Sequence, residues 1–257
     1  MRRYGASRRQ RGRRESAGPL RSYVEHYWLI DWDLAEPHVS QVVPHPCVNL
    51  VLQRRGAGLP AQGELAGPGR GLFTTELTGR GRVCGVQFRP GGFRPFLPRP
   101  VATWTDRHVA LPEAFPGLPS AAEVPARVLG PDTEDERVAA LDAFLLGLGP
   151  RPDPAADRAM ALVRRVREDR TVRRVATLAA EEDIPVRAMQ RLFTEYVGVS
   201  PKFCILRYRI HEALERAVTE AEVDWALLAA DLGYSDQAHL VRDVTATVGV
   251  PPTAYIR

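Results

Sequence analysis

Lysine is almost missing from this 257-residue chain: Lys202 is the single one among 35 basic residues, and the others are arginines. Cysteine is scarce too. Cys47, Cys84 and Cys204 are scattered and odd in number, which argues against a disulfide framework and for a reducing cytoplasm. No apolar run reaches the roughly 20 residues of a membrane helix. No apolar segment follows the arginine-rich start, so a secretory signal is not expected either. A strand–GxxxxGK–helix phosphate loop is missing, and no local signature marks a Ser or Cys nucleophile, so no catalytic residue is assigned. At 44% hydrophobic, the chain has the material for a real core, which excludes global disorder.

A general positive surplus is also lacking. Residues 1–14 hold seven arginines and no acid, and without them the net charge of +4 becomes −3. Residues 155–257 contain 15 basic and 15 acidic residues. Nucleic-acid binding must therefore be read from where particular arginines stand, not from the total.

What is present divides the chain in three. Residues 1–18 have almost no apolar content and are expected to form a disordered basic tail. Residues 19–150 are expected to form a β-rich regulatory domain. "YVEHYWLIDWDL" and "CVNLVLQ" are rich in aromatic and β-branched residues, "RVCGVQF" alternates as a half-buried strand does, and Gly- and Pro-rich turns lie between them. Short strands with turn signals suggest a barrel or sandwich, cupin-like in β content. Helical stretches are predicted near 92–97 and 134–146. The proline-rich "GLGPRPDPAAD" marks a boundary near residue 150. Residues 151–257 then read as all helix, so the fold class is α+β.

The helical part contains a copy of itself. At an offset of 50, Ala176, Leu178, Ala179 and Ala180 match Ala226, Leu228, Ala229 and Ala230. At an offset of 51, Arg191, Val197, Gly198, Val199 and Pro201 match Arg242, Val248, Gly249, Val250 and Pro252. Each copy has a short helix of small apolar residues, a turn carrying Asp183 or Gly233, and a second helix. That grammar is a helix-turn-helix, whose second helix lies in the major groove of DNA. Arg187, Gln190 and Arg191 fall opposite the apolar face of the first such helix. Gln237, His239 and Arg242 do so on the second. Arginine pairs bidentately with guanine and glutamine with adenine, a chemical reason for these types. "SPKFCILRYRIHEALERAVTEAE" between the copies opens with Ser200 as cap and Pro201 at the first helical position, and reads as a strut between two reading heads.

"LAAEEDIPVRAMQRLFTEYVGVSP", the linking helix, "LAADLGYSDQAHLVRDV" and "GVPPTAYIR" together resemble the AraC/XylS family of bacterial transcription regulators over about residues 155–257. The resemblance implies seven helices, two helix-turn-helix units and a central helix, with reading heads in successive major grooves. It places base-contacting positions at Arg187, Gln190, Arg191, Gln237, Ala238, His239 and Arg242. The first turn departs from the family pattern: Asp183, Ile184 and Pro185 stand where a Gly and a small polar cap are usual, and Asp183 is expected to cap the helix from upstream. "HYWLIDWDL", "PHPCVNLVL" and "GRGRVCGVQFRPGGFRPFL" look like the uncharacterised β-rich domain that precedes such domains in a subset of regulators.

In that half, Tyr27, Trp28, Trp32, Phe88, Phe93 and Trp104 could wall a small-molecule pocket, with Gln87 and Arg89 as polar anchors. The competing expectation is that these aromatics are core. His38, His45, Cys47 and Cys84 invite a metal reading, with His45 and Cys47 on one face of a strand. The second His and the Glu of a cupin-type site cannot be placed, so no metal and no cofactor is assigned. The expected function is a ligand-responsive, sequence-specific DNA-binding regulator. Its expected partners are double-stranded DNA, a small effector, a second copy of the chain, and RNA polymerase if it activates. The alternatives are a β-barrel metal-binding enzyme with a helical accessory, or a helical repeat that binds protein.

Overall fold

The computed structural model describes residues 8–56, 58–219 and 223–255. Its first half is one antiparallel sheet. The strands are β1 (Arg8–Arg14), β2 (Val24–Val42), β3 (Asn49–Arg54), β4 (Gln62–Ala66), β5 (Phe73–Phe88) and β6 (His108–Ala110). They lie in the order β1-β2-β5-β3-β4-β6. The long β2 and β5 form the spine, from Val24 beside Phe88 to Val42 beside Phe73. Helices α1 (Leu111–Ala114), α2 (Val124–Leu129) and α3 (Glu134–Gly147) follow.

Side chains alternate across a strand, and here the two faces have different fates. Tyr27, Leu29, Leu50, Leu52, Cys84, Val86 and Phe88 point into the main core, with Leu111, Val128, Leu129, Leu141 and Leu145 from the helices. Trp28, Ile30, Trp32, Leu34, Val51, Leu77 and Val83 make a smaller cluster. The helices are fixed by polar anchors. Arg137, almost wholly buried, donates to Asp31 at 2.9 Å, where Arg82 also donates at 3.0 Å. Arg82 reaches the carbonyls of Leu129 and Pro131 as well. A capping box of Thr133 and Glu136 starts α3.

Three expectations change here. The β-rich half is the expected antiparallel domain, but as a single sheet whose outer strands, β1 and β6, each pair on one side among the described residues, so its hydrogen bonding does not close it into a barrel. The expected basic tail is a strand from Arg8 to Arg14, paired with Tyr27–Asp33; residues 1–7 lie outside the described residues. An edge strand is held by main-chain hydrogen bonds and needs no apolar alternation, and Arg14 finds Glu134 and Asp135 on α3. The stretch 92–97 is a series of turns, with Phe96 N bonded to Phe93 O and Leu97 N to Arg94 O, not a helix.

Among the described residues seven helices follow: α4 (Pro154–Glu168), α5 (Val175–Glu181), α6 (Val186–Tyr196), α7 (Pro201–Thr219), α8 (Trp225–Asp231), α9 (Gln237–Val248) and α10 (Pro252–Tyr255). Asp153 caps α4 by accepting from Ala155 N and Ala156 N. The helices enclose two small cores. Ala156, Leu162, Leu178, Met189, Phe193 and Tyr208 belong to the first, and Ile210, Leu214, Leu228, Leu240 and Val244 to the second. α7 serves both. Ser200 caps it, its hydroxyl accepting from Phe203 N at 3.2 Å.

α7 is also where the two halves meet. Arg207, 2% exposed, donates to the main-chain carbonyls of Pro44 and Arg70, and its guanidinium lies over the Phe203 ring. Val43 and Leu72, from the loops beside β2 and β5, pack into the second helical core. Thr105 donates to the carbonyl of Gly198 at 2.6 Å, and Arg94 meets Asp153 and the Tyr196 hydroxyl.

Candidate nucleic-acid interface

Each helix pair turns through one left-handed residue: Asp183 at φ 50° between α5 and α6, Gly233 at φ 75° between α8 and α9. In both, the amide just past that residue returns to the first helix, Ile184 N to Ala179 O and Tyr234 N to Ala229 O. Two turns of equivalent geometry at equivalent repeat positions are what the internal copy requires. The start of the second helix differs. Asp236 caps α9, accepting from His239 N at 2.7 Å, and that hydrogen bond is the main reason its carboxyl lies below the ordinary range. α6 starts after Pro185 and has no side-chain cap. Asp183 is not the cap it was expected to be, because its left-handed backbone makes it the turn residue.

The structure exposes Arg187, Gln190 and Arg191 on α6 and Gln237, Ala238 and Arg242 on α9. Met189, Phe193 and Tyr196 are buried behind the first set, and Leu240, Val244 and Val248 behind the second. Among the described residues, no ion pair engages Arg187, Arg191 or Arg242, whereas most arginines near them are tied down. Arg165 holds Glu181 and Glu182 across α4 and α5, Arg216 holds Asp231, and Arg170 holds Glu212. His239 is the exception in its set. It is half-buried, its ring edge-on to Tyr234, with Ser235 on one nitrogen at 3.2 Å and Asp243 3.7 Å from the other. That ring braces the start of α9 more than it projects from it.

The two heads are tied to each other by residues that sequence reasoning missed. Arg173, before α5, donates to Asp231 O at 3.2 Å and runs across the Gly233 turn so closely that a Cβ there would lie 2.4 Å from its Nε. Arg209 of α7 donates to the Arg173 carbonyl at 2.9 Å and sits over the Tyr234 ring. Only the arginines themselves, among many, signalled this.

The residues expected to wall a ligand pocket do not gather. Trp28 and Trp32 lie on the smaller apolar face, across from Gly85 and Gly81, and Gln87 shares that alternation on β5. Tyr27, Phe88, Phe93 and Trp104 belong to the main core. Arg89 lies at the boundary between the halves, paired with Glu25 at 2.6 Å. His45 and Cys47 do not share a strand face, since Cys47 N bonds back to His45 O in a turn. Among the described residues, His38, His45, Cys47 and Cys84 form no metal-binding group. All three thiols are buried, and burial raises each of their pKa values.

Residues 178–257 match a family described as a helix-turn-helix domain, and residues 13–110 match one described as a domain of unknown function. No curated protein matches the sequence. Solved structures of ToxT from Vibrio cholerae are similar to this chain. The O395 protein has 13% identity and a TM-score of 0.44, covering 92% of this chain and 97% of that one. The unsaturated fatty acid-bound protein of strain SCE256 has 13% identity and a TM-score of 0.45, covering 90% and 94%. Two helix-turn-helix units on one central helix define a DNA-binding transcription regulator. The helical half carries a helix-turn-helix domain over residues 178–257. Among the described residues, no helix is long and apolar enough to cross a membrane.

Proposed function

We propose that α6 and α9 are the reading helices, entering successive major grooves of double-stranded DNA about one turn, or 10 bp, apart. Arg187, Gln190 and Arg191 read one box. Gln237 and Arg242 read the other, Ala238 offers a methyl contact at most, and His239 fixes the helix that carries them. The observation behind this reading is the pair of matching helices that each present an arginine, Arg191 and Arg242, exposed and outside any ion pair of the described residues. Bidentate arginine–guanine contacts need that freedom. Residues 151–257 bind DNA, and residues 19–150 regulate, responding to a small effector and pairing with a second copy of the chain in the cytoplasm.

Selection from random duplex DNA by the full-length protein tests the reading. The expected result is two short boxes about one helical turn apart, one blurred by Arg191→Ala and the other by Arg242→Ala. If both variants kept the wild-type preference, the assignment of the reading faces would be wrong.

A further inference from the structure

A cleft of about 450 Å³ opens between the halves. That volume falls within the range of small-molecule sites, about 300–1,000 Å³. Its walls come from the turn before β2, the end of β5, and α4. Arg21, Arg89, Arg164 and Arg167 line it together with Glu25 and Asp157, so the lining holds four arginines and two acids. Pro90, Met160 and Val163 supply an apolar side, and Tyr208 is also part of the lining.

Glu25 organises the cations. One of its oxygens takes Arg89 at 2.6 Å and the other Arg167 at 3.0 Å, and these two partners hold its carboxyl below the ordinary range despite partial burial. Arg89 belongs to the sheet half and Arg167 to α4, so both forks are held in place across the boundary. Arg21 also reaches Glu15 at 3.1 Å and Arg167 reaches Glu168 at 3.6 Å, but those carboxylates are 81% and 61% exposed and lie outside the lining. Exposed pairs of that kind contribute little. Arg164 has no ion pair among the described residues. The cleft therefore keeps about two positive charges that its own walls do not neutralise.

We propose that this cleft binds a small organic dianion, a phosphate monoester or a dicarboxylate, gripped by Arg89 from the sheet half and by Arg164 and Arg167 from α4. The planar guanidinium fork matches both anion types. Forks fixed in advance by Glu25 lose less freedom on binding than free side chains would. Pro90, Met160 and Val163 receive the carbon body. An anion held from both sides ties the regulatory half to the first helix of the DNA-binding half. This deepens the effector response proposed above, and it stands on the cleft rather than on the reading of DNA.

Calorimetric titration of the full-length protein at fixed ionic strength, without DNA, tests it. The probes are glucose 6-phosphate, succinate, acetate and glucose. Saturable binding of glucose 6-phosphate or succinate is expected, with acetate weaker and glucose silent; the stronger dianion tells phosphate from dicarboxylate. Arg164→Glu should weaken that binding about tenfold or more, the cost of one charge-assisted hydrogen bond. Arg158→Glu, on the same helix but outside the cleft, should leave it unchanged. The proposal is overturned if neither dianion binds at millimolar concentration, or if Arg164→Glu binds as the wild type does. Because DNA is left out, a failed titration leaves the DNA-reading assignment intact, and a failed DNA selection leaves the cleft intact.

Discussion

His45 and His211 stack face to face across the boundary between the halves, ring centroids 4.1 Å apart and planes 9° from parallel. Burial is the main cause of their lowered pKa values, about 4 for His45 and about 3 for His211. Arg167 lowers His45 further and Glu25 opposes it; His45 and Arg207 lower His211, while the Pro44 carbonyl opposes it. Both rings are neutral in the fold at pH 7.

That pair predicts acid sensitivity. In the unfolded chain each ring takes up its proton near pH 6.5. Below that pH the unfolded state holds more protons than the folded one, so stability is full above about 6.5 and falls as pH drops toward the folded-state values. The slope is on the order of 1 kcal/mol per pH unit for each ring. Urea midpoints between pH 7 and 5 should show it, and the double variant His45→Gln/His211→Gln should flatten the curve.

Trp28 lies over Gly85 and Trp32 over Gly81, each indole beside its cross-strand partner. A Cβ at Gly85 would lie 2.0 Å from Trp28, and one at Gly81 2.1 Å from Trp32. Gly85→Ala and Gly81→Ala should each cost about 1–3 kcal/mol by overpacking. Trp28→Ala/Gly85→Ala should cost less than the sum of its single changes, measured as a double-mutant cycle.

The two turns make opposite predictions for the same kind of exchange. Gly233→Ala places a side chain at φ 75° and displaces Arg173, so a loss of about 1–2 kcal/mol is expected. Asp183 already adopts φ 50° with a side chain. Asp183→Gly relieves that conformation and should change stability by less than about 1 kcal/mol, in the stabilising direction. Thermal denaturation of the two variants side by side checks the sign.

On DNA, Arg242→Ala should cost about 1–3 kcal/mol and relax one base position, while Arg187→Ala and Arg191→Ala should act on the other box. Titrations at several salt concentrations separate base contacts from phosphate contacts, since only the latter reduce the salt slope.

The helical half was legible because its signals are local and repeated. The two turns, the apolar stripe of each second helix and the cap at Ser200 are set by residues within a few positions of one another. The sheet half was less so. Alternation along "YWLIDW" separates Tyr27 and Leu29 from Trp28, Ile30 and Trp32, but says nothing about which face the helices α1–α3 cover. Sequence alone therefore makes one wall of aromatics that the fold divides between the smaller cluster and the main core. β1 carries no apolar pattern because main-chain pairing holds it. Arg89 alone, of the residues suggested for a ligand, lies at the cleft, and its partners Glu25, Arg164 and Arg167 are distant in sequence from it and carry no motif.

α7 spans 19 residues, from Pro201 to Thr219, about 28 Å at the rise of a helix. One residue added to its middle would lengthen it by about 1.5 Å and swing one head about 100° around the axis relative to the other. With α6 and α9 reading one duplex, a residue gained or lost within α7 would put the two heads out of phase with the double helix. In that segment length, more than composition, sets the phase between the heads.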